Sequence, residues 1–309
     1  MNTPSQFSPT LPTFQLAWDS TSLGTFKECA RKYYFQHIIG FATRFESIHL
    51  KFGQLFHSGV ELYDKSIAEG LDHDSAVYTV TEWSLRETWN PETQSPLEVL
   101  SFDPIKNRHT LIRSLIWACE ERLTSPFKTL ILPSGKPAVE LSFRFEAFSV
   151  GSETITFCGH LDRVVLANSQ PWIEDHKTTK GALNSHYFDG FTPGNQFSLY
   201  TIAGKIVTGS ECRGVIVNGV QIGTGFTRFA HAQAPRPRAV LDEWLADARY
   251  WITQARAMAE ANNWPGNDKS CGNYGGCPFQ KVCSVSPSHR LAHLQSDFVP
   301  FHWNPLEIR

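Results

Sequence analysis

Long apolar runs, a strong net charge, secretory features and internal repeats are all missing from this 309-residue chain. No stretch carries the roughly 20 consecutive apolar residues that a membrane-spanning helix needs. The first segment, MNTPSQFSPTLPTFQLAWDS, has neither the basic start nor the apolar stretch of a secretory signal. A cytoplasmic, soluble protein with no membrane partner is therefore expected. With 28 basic and 30 acidic residues the formal net charge is −2, which argues against holding duplex DNA through a broad basic surface. Positive charge must then act locally, with Arg31, Lys32, Arg44 and Lys51 early and Arg228, Arg236 and Arg238 late as candidates. Without a secretory signal, the seven cysteines do not suggest disulfides.

What is present is the composition of a globular protein, 41% hydrophobic and 19% charged, in a chain long enough for a substantial core. SLGTFKECARKYYFQHIIG reads as one aromatic helix, and KFGQLFHSGVELYDKSIAEG as a second. AVYTVTEWSLRETW and RHTLIRSLIWACEERL are further helical patterns. After Pro133 the pattern changes. AVELSFRFEAFSV, ETITFCGHLDRVVLA and PWIEDHKTT alternate or are β-branched, with turns at Gly151-Ser152 and Asn168-Ser169. A helix (GNQFSLYTIAGKIV), a strand (CRGVIVNGVQIG) and a long amphipathic helix stopped near Asn262 follow. This order predicts an α/β fold with a mixed sheet, as one domain over 1–309: a lead-in at 1–18, a helical insertion at 60–132, a core at 133–262 and a cysteine loop and tail at 263–309.

The segment GHLDRVVLANSQPWIEDHKTTK concentrates the chemistry. Alternation puts Asp175 and Lys177 on one strand face and Glu174 and His176 on the other. An adjacent antiparallel strand would bring Asp162 beside the first pair. Two carboxylates and an ammonium on one patch suit a divalent metal that activates water against a phosphodiester. A cluster of surface ion pairs would look the same in sequence.

Four cysteines stand apart from the three that read as buried thiols, Cys119, Cys158 and Cys212. CGNYGGCPFQKVC holds Cys271, Cys277 and Cys283 in a glycine-rich loop, and Cys29 supplies a fourth candidate ligand. Four thiolates accept either zinc or a 4Fe–4S cluster, so the chemistry leaves that choice open.

In combination these segments resemble the PD-(D/E)XK nuclease superfamily. Within it the chain is similar to the RecB-type branch, which holds the AddB nuclease domain, CRISPR-adaptation nucleases and phage exonuclease-like proteins. The likeness rests on SLGTFKECARKYYF, on FGQLFH with Gly53 and His57, on GHLDRV, on EDHK, on QFSLY with Gln196 and Tyr200, and on the cysteine trio. It implies Asp162, Asp175 and Lys177 as catalytic residues. It also implies Mg2+ or Mn2+ on His57, Asp162, Asp175 and the His176 backbone carbonyl, and a 4Fe–4S cluster on Cys29, Cys271, Cys277 and Cys283. Glu140, Gln196 and Tyr200 are secondary candidates. In much of the branch the first two closing cysteines are two residues apart, whereas Cys271 and Cys277 are separated by five. The activity implied is metal-dependent exonuclease action on DNA ends or single strands, with recombination or CRISPR-type protein partners. A non-catalytic DNA-binding or assembly module, or a zinc-stabilised structural protein, are the competing readings.

Overall fold

A computed structural model describes residues 5–308, the Tyr274 side chain excepted; residues 1–4 of the lead-in lie outside it. In chain order its main elements are β1 (Ala17–Trp18), α1 (Ser20–Glu28), α2 (Ile48–Ala68), α3 (His73–Glu87), α4 (Arg108–Thr124), β2 (Val139–Val150), β3 (Glu153–Ala167), β4 (Gln170–Thr179), α5 (Asn195–Thr208), β5 (Gly214–Ile222), β6 (Thr227–Pro235) and α6 (Arg238–Glu260). The chain is mixed α/β. It divides into two compact units, one of Met1–Phe45, Ser142–Gly159 and Arg238–Arg309, the other of Glu46–Leu141 and His160–Pro237.

The second unit is built on a mixed sheet. β3 and β4 are antiparallel across the Asn168-Ser169 turn, whose residues both have positive φ (50° and 61°), the geometry a tight two-residue hairpin demands. β4 and β5 are parallel, so a crossover must join them, and α5 provides it. That crossover carries Gln196 to the side of β4. β6 then returns antiparallel to β5. It is absent from the expected order because TRFAHAQAP has few large apolar side chains and lies last in the strand order.

Helix α2 turns Phe52, Leu55, Phe56, Val60 and Tyr63 inward, a spacing of three and four residues that makes one apolar stripe. They share a core with Leu111 and Leu115 of α4 and with Val220 and Ile222 of β5. Each such side chain contributes about 1.5–3 kcal/mol when fully buried. α2 and α4 approach closely at Gly59, where an added Cβ would sit 2.5 Å from Leu115 Cδ2.

In the first unit, Asp19 caps α1 by accepting from the Ser22 backbone N–H (2.7 Å). The helix expected to run unbroken through Cys29 does not. Cys29 is extended (φ −162°), followed by a short turn of helix at Ala30–Tyr33 and a π-turn at Tyr34–Ile38. Trp18 stacks on Tyr33 (centroids 5.4 Å, 7°) and Phe26 meets both rings edge-on, so aromatic packing compensates for the interrupted helix.

Candidate active site

Strand β4 is buried from Trp172 through His176, which puts two acids and a histidine in a central strand. Their side chains separate as alternation requires. Lys177 Nζ lies 2.8 Å from Asp175 Oδ2 on one face, while Glu174 and His176 meet arginine on the other. The β3–β4 ladder ends at Arg163–Glu174, so Asp162 and Asp175 are the next positions along each strand. From α2, His57 reaches the same place: Nδ1 is 2.9 Å from Asp162 Oδ2, and Nε2 is 2.7 Å from the His176 carbonyl oxygen. Lys177 also donates to Gln196 Oε1 (3.0 Å), and Gln196 Nε2 donates to the Tyr200 hydroxyl (2.9 Å). The structure thus joins His57, Asp162, Asp175, Lys177, Gln196 and Tyr200 in one connected cluster.

The charges in this cluster are uneven. Burial raises the Asp175 carboxyl and the Asp162 charge adds to the rise, with Lys177 opposing both. Burial would raise Asp162 as well, yet His57 and Lys177 hold it well below the usual carboxylate range. For His57, burial lowers the pKa, but Asp162 and Asp175 outweigh it and bring it to about 9. The buried Oδ2 atoms of Asp162 and Asp175 have ion-pair partners, His57 Nδ1 (2.9 Å) and Lys177 Nζ (2.8 Å), but among the described residues no aligned hydrogen-bond donor. A histidine whose folded pKa exceeds the ordinary 6.5 stabilises the fold fully below pH 6.5, and that contribution is lost as pH rises through about 9. Without divalent metal, the melting temperature should fall between pH 6.5 and 9.5, and His57→Ala should flatten that slope. An equal slope in the variant would remove His57 from the account.

The sequence over residues 18–284 matches the model of the PD-(D/E)XK nuclease superfamily. The chain belongs to this superfamily. Among curated proteins none matches. A candidate exonuclease from Eubacterium rectale aligns with a TM-score of 0.48 at 11% identity, covering 88% of this chain and 92% of that one. The protein SSO0001 aligns with a TM-score of 0.34 at 12% identity, covering 88% and 86%.

Behind the PD-(D/E)XK strand lies a polar network that the sequence did not reveal. Arg122 donates to Asp64 Oδ2 (2.7 Å), to His176 Nε2 (3.0 Å) and to Glu174 Oε2. Arg163 adds a second bond to Glu174 Oε2 (2.8 Å), and Asn218 bonds its Oε1 (2.7 Å). Burial and Arg122 lower the His176 ring to about 3, so it is neutral and accepts from the guanidinium. Its ring is thus committed to this network, which leaves the backbone carbonyl as its contribution on the His57 side. Lys106 was also missed. It is 3% exposed, bonds Thr178 Oγ1 (3.0 Å) one residue past Lys177, and is lowered to about 8 by burial and Lys180.

Glu140 sits second in β2 with φ +48°, a left-handed conformation uncommon outside glycine. Arg236, a candidate for surface charge, is instead 3% exposed and bonds Ser198 Oγ and the Phe191 carbonyl. Lys32, Lys51 and Arg238 pair with Glu28, Glu46 and Asp242.

In the first unit, Cys29, Cys271, Cys277 and Cys283 line one cavity of about 250 Å³. The Asn267 N–H donates to Cys29 Sγ (3.3 Å), and Asn267 Nδ2 and Ser270 Oγ both bond the Glu28 carbonyl, tying the chain's two ends together. Burial raises the Cys277 thiol, and the neighbouring Cys271 and Cys283 raise it further. Among the described residues, no three His, Cys, Asp or Glu side chains stand as a ready cage for a single metal ion.

Proposed function

We propose that the protein is a divalent-metal-dependent deoxyribonuclease of the RecB-like branch, acting on DNA ends or single strands. The observation that carries this reading is the pair of buried Oδ2 atoms of Asp162 and Asp175 at one strand end, each met only by a cationic side chain, His57 or Lys177. Two anionic oxygens in one protected place are what a hard cation requires. Mg2+ or Mn2+ bound there would be held by Asp162, Asp175, His57 and the His176 carbonyl, and would supply Lewis-acid activation of water. To join them, His57 must first shed a proton and release the carbonyl. Lys177, fixed between Asp175 and Gln196, orients the attacking water or meets the negative charge that develops on the phosphate. Tyr200 holds Gln196, and through it the lysine.

End-labelled single- and double-stranded DNA, incubated with magnesium, manganese or EDTA, tests this directly. Cleavage is expected only with the divalent ion and should weaken steeply with added salt, because phosphate contacts release counterions whatever the net charge. DNA binding with no cleavage in either metal would favour the non-catalytic module.

The same reading includes a 4Fe–4S cluster on Cys29, Cys271, Cys277 and Cys283. Its support is the shared cavity and the mutual proximity of the thiols. Anaerobically purified protein should be brown, with iron and acid-labile sulfide. Cys29→Ala should lose both as completely as Cys283→Ala, and should melt lower, since such ligation is coupled to folding. Zinc in place of iron would defeat the cluster. Full metal content and an unchanged melting temperature in Cys29→Ala would remove Cys29 from the ligands.

A further inference from the structure

A second cavity of about 590 Å³ lies in the first unit, lined by Arg31, Tyr34, Phe35, Trp264, Arg290 and Leu291 among others. Its size is that of a site for a small organic molecule. Two aromatic rings are already ordered there, with Tyr34 and Trp264 stacked at 5.6 Å and 20°. Two guanidinium groups border it. Arg31 spends only its Nε on the protein, donating to the Trp264 carbonyl (3.2 Å), and its terminal nitrogens have no acceptor among the described residues. Its guanidinium fits against Gly266, where an added Cβ would come within 3.0 Å of Nη1. Among the described residues Arg290 bonds only the Cys283 carbonyl (3.3 Å), and its buried Nε finds no acceptor there. The indole N–H of Trp264, a residue 6% exposed, likewise has no acceptor among the described residues. Neither arginine forms an ion pair with a described residue, whereas Arg256 in the same unit is paired with Glu153 and Glu260.

Uncompensated guanidinium charge around aromatic rings selects a ligand that is both anionic and planar. We infer that this groove is a second contact for nucleic acid, taking a nucleotide unit of a single strand with its base against Tyr34 and its phosphates on Arg31 and Arg290. The inference rests on the nuclease reading for the identity of the polyanion. A single strand is specified because a base must be free of its partner to lie on an aromatic side chain. Arg31 also lines the cysteine cavity, so the groove and the cysteine loop share a wall.

The test is fluorescence anisotropy with a fluorescein-labelled oligothymidylate in EDTA, where cleavage cannot occur, over a range of salt. Each lost phosphate contact should lower the slope of log affinity against log salt by about 0.7, and Arg31→Gln with Arg290→Gln by about 1.4. Tyr34→Ala should weaken binding about fivefold or more, and that difference should vanish with an abasic strand. Arg290→Lys should keep the slope. Should the double variant melt early, Arg290→Gln alone carries the test, since it removes a single protein contact. An unchanged slope in folded variants overturns the groove, and equal affinity and slope changes for duplex overturn the single-strand assignment. Hydrolysis of bis(p-nitrophenyl) phosphate with manganese separates the two ideas. Groove variants should retain it. Wild type that binds as described but hydrolyses neither this ester nor DNA leaves the groove standing and removes the nuclease.

Discussion

Asp175→Asn should reduce metal-dependent DNA cleavage by more than about 100-fold, beyond the 10- to 100-fold cost typical of a metal's outer partners, while the fold persists. The carboxylate side chain is 2% exposed, so the amide occupies nearly the same space and creates no cavity. What changes is charge. Burial and the neighbouring Asp162 raise the Asp175 pKa, so its ionised form at neutral pH works against folding. A raised folded pKa means stability present at low pH and lost as pH rises through that pKa, and asparagine removes the loss. The variant should therefore melt at or above the wild-type temperature in EDTA while failing to cleave. Lys177 keeps Gln196 as an acceptor, so the site does not collapse for lack of a partner. Rate measurements at saturating manganese, beside melting curves, decide the matter. An Asp175→Asn protein that cleaves at the wild-type rate would mean the chemistry lies elsewhere.

The sequence made this face of the site legible because strand alternation is a local rule. Asp175 and Lys177 had to share a side, and the Asn168-Ser169 turn placed Asp162 next to them. The helical spacing that buried Phe56 in α2 likewise carried His57 to the strand end. Other features depend on contacts that no period encodes. Asp64, Arg122, Arg163, Glu174 and Asn218 come from five separate elements, and nothing near any of them names its partner. Cys29 stood inside a segment that read as one aromatic helix, yet the chain turns there, where its sulfur accepts from Asn267 and the preceding carbonyl accepts from Asn267 and Ser270. Arg236 showed only its charge in the sequence; its burial against Phe197 follows from tertiary packing.

Arg122→Met should cost about 3–5 kcal/mol of stability, the typical penalty for removing one partner of a buried ion pair, and lower the melting temperature by on the order of 10 °C. The side chains of Arg122, Asp64, Glu174 and Arg163 are 8%, 6%, 1% and 9% exposed, so solvent cannot replace a lost guanidinium. Two arginines balance two carboxylates. Without Arg122, one arginine faces two buried acids, and His176 Nε2 loses its donor. Burial by itself would raise Glu174; Arg122 and Arg163 together hold its carboxylate well below the usual range. That stability is present above the ordinary pKa of 4.5 and is lost as pH falls through the depressed folded value. The variant's deficit should therefore be large at neutral pH and shrink on acidification. Restoring balance should rescue the fold: Arg122→Met with Asp64→Asn leaves Arg163 to pair Glu174, with Asn218 still bonded, and should melt above Arg122→Met alone. Thermal melts of the two variants and of Asp64→Asn complete a double-mutant cycle. A single variant that melts with wild type, or a double variant with no rescue, would show that charge balance behind the strand does not hold it. If the balance does hold it, the cost should also reach the opposite face, because Glu174 and His176 flank Asp175 on the same strand.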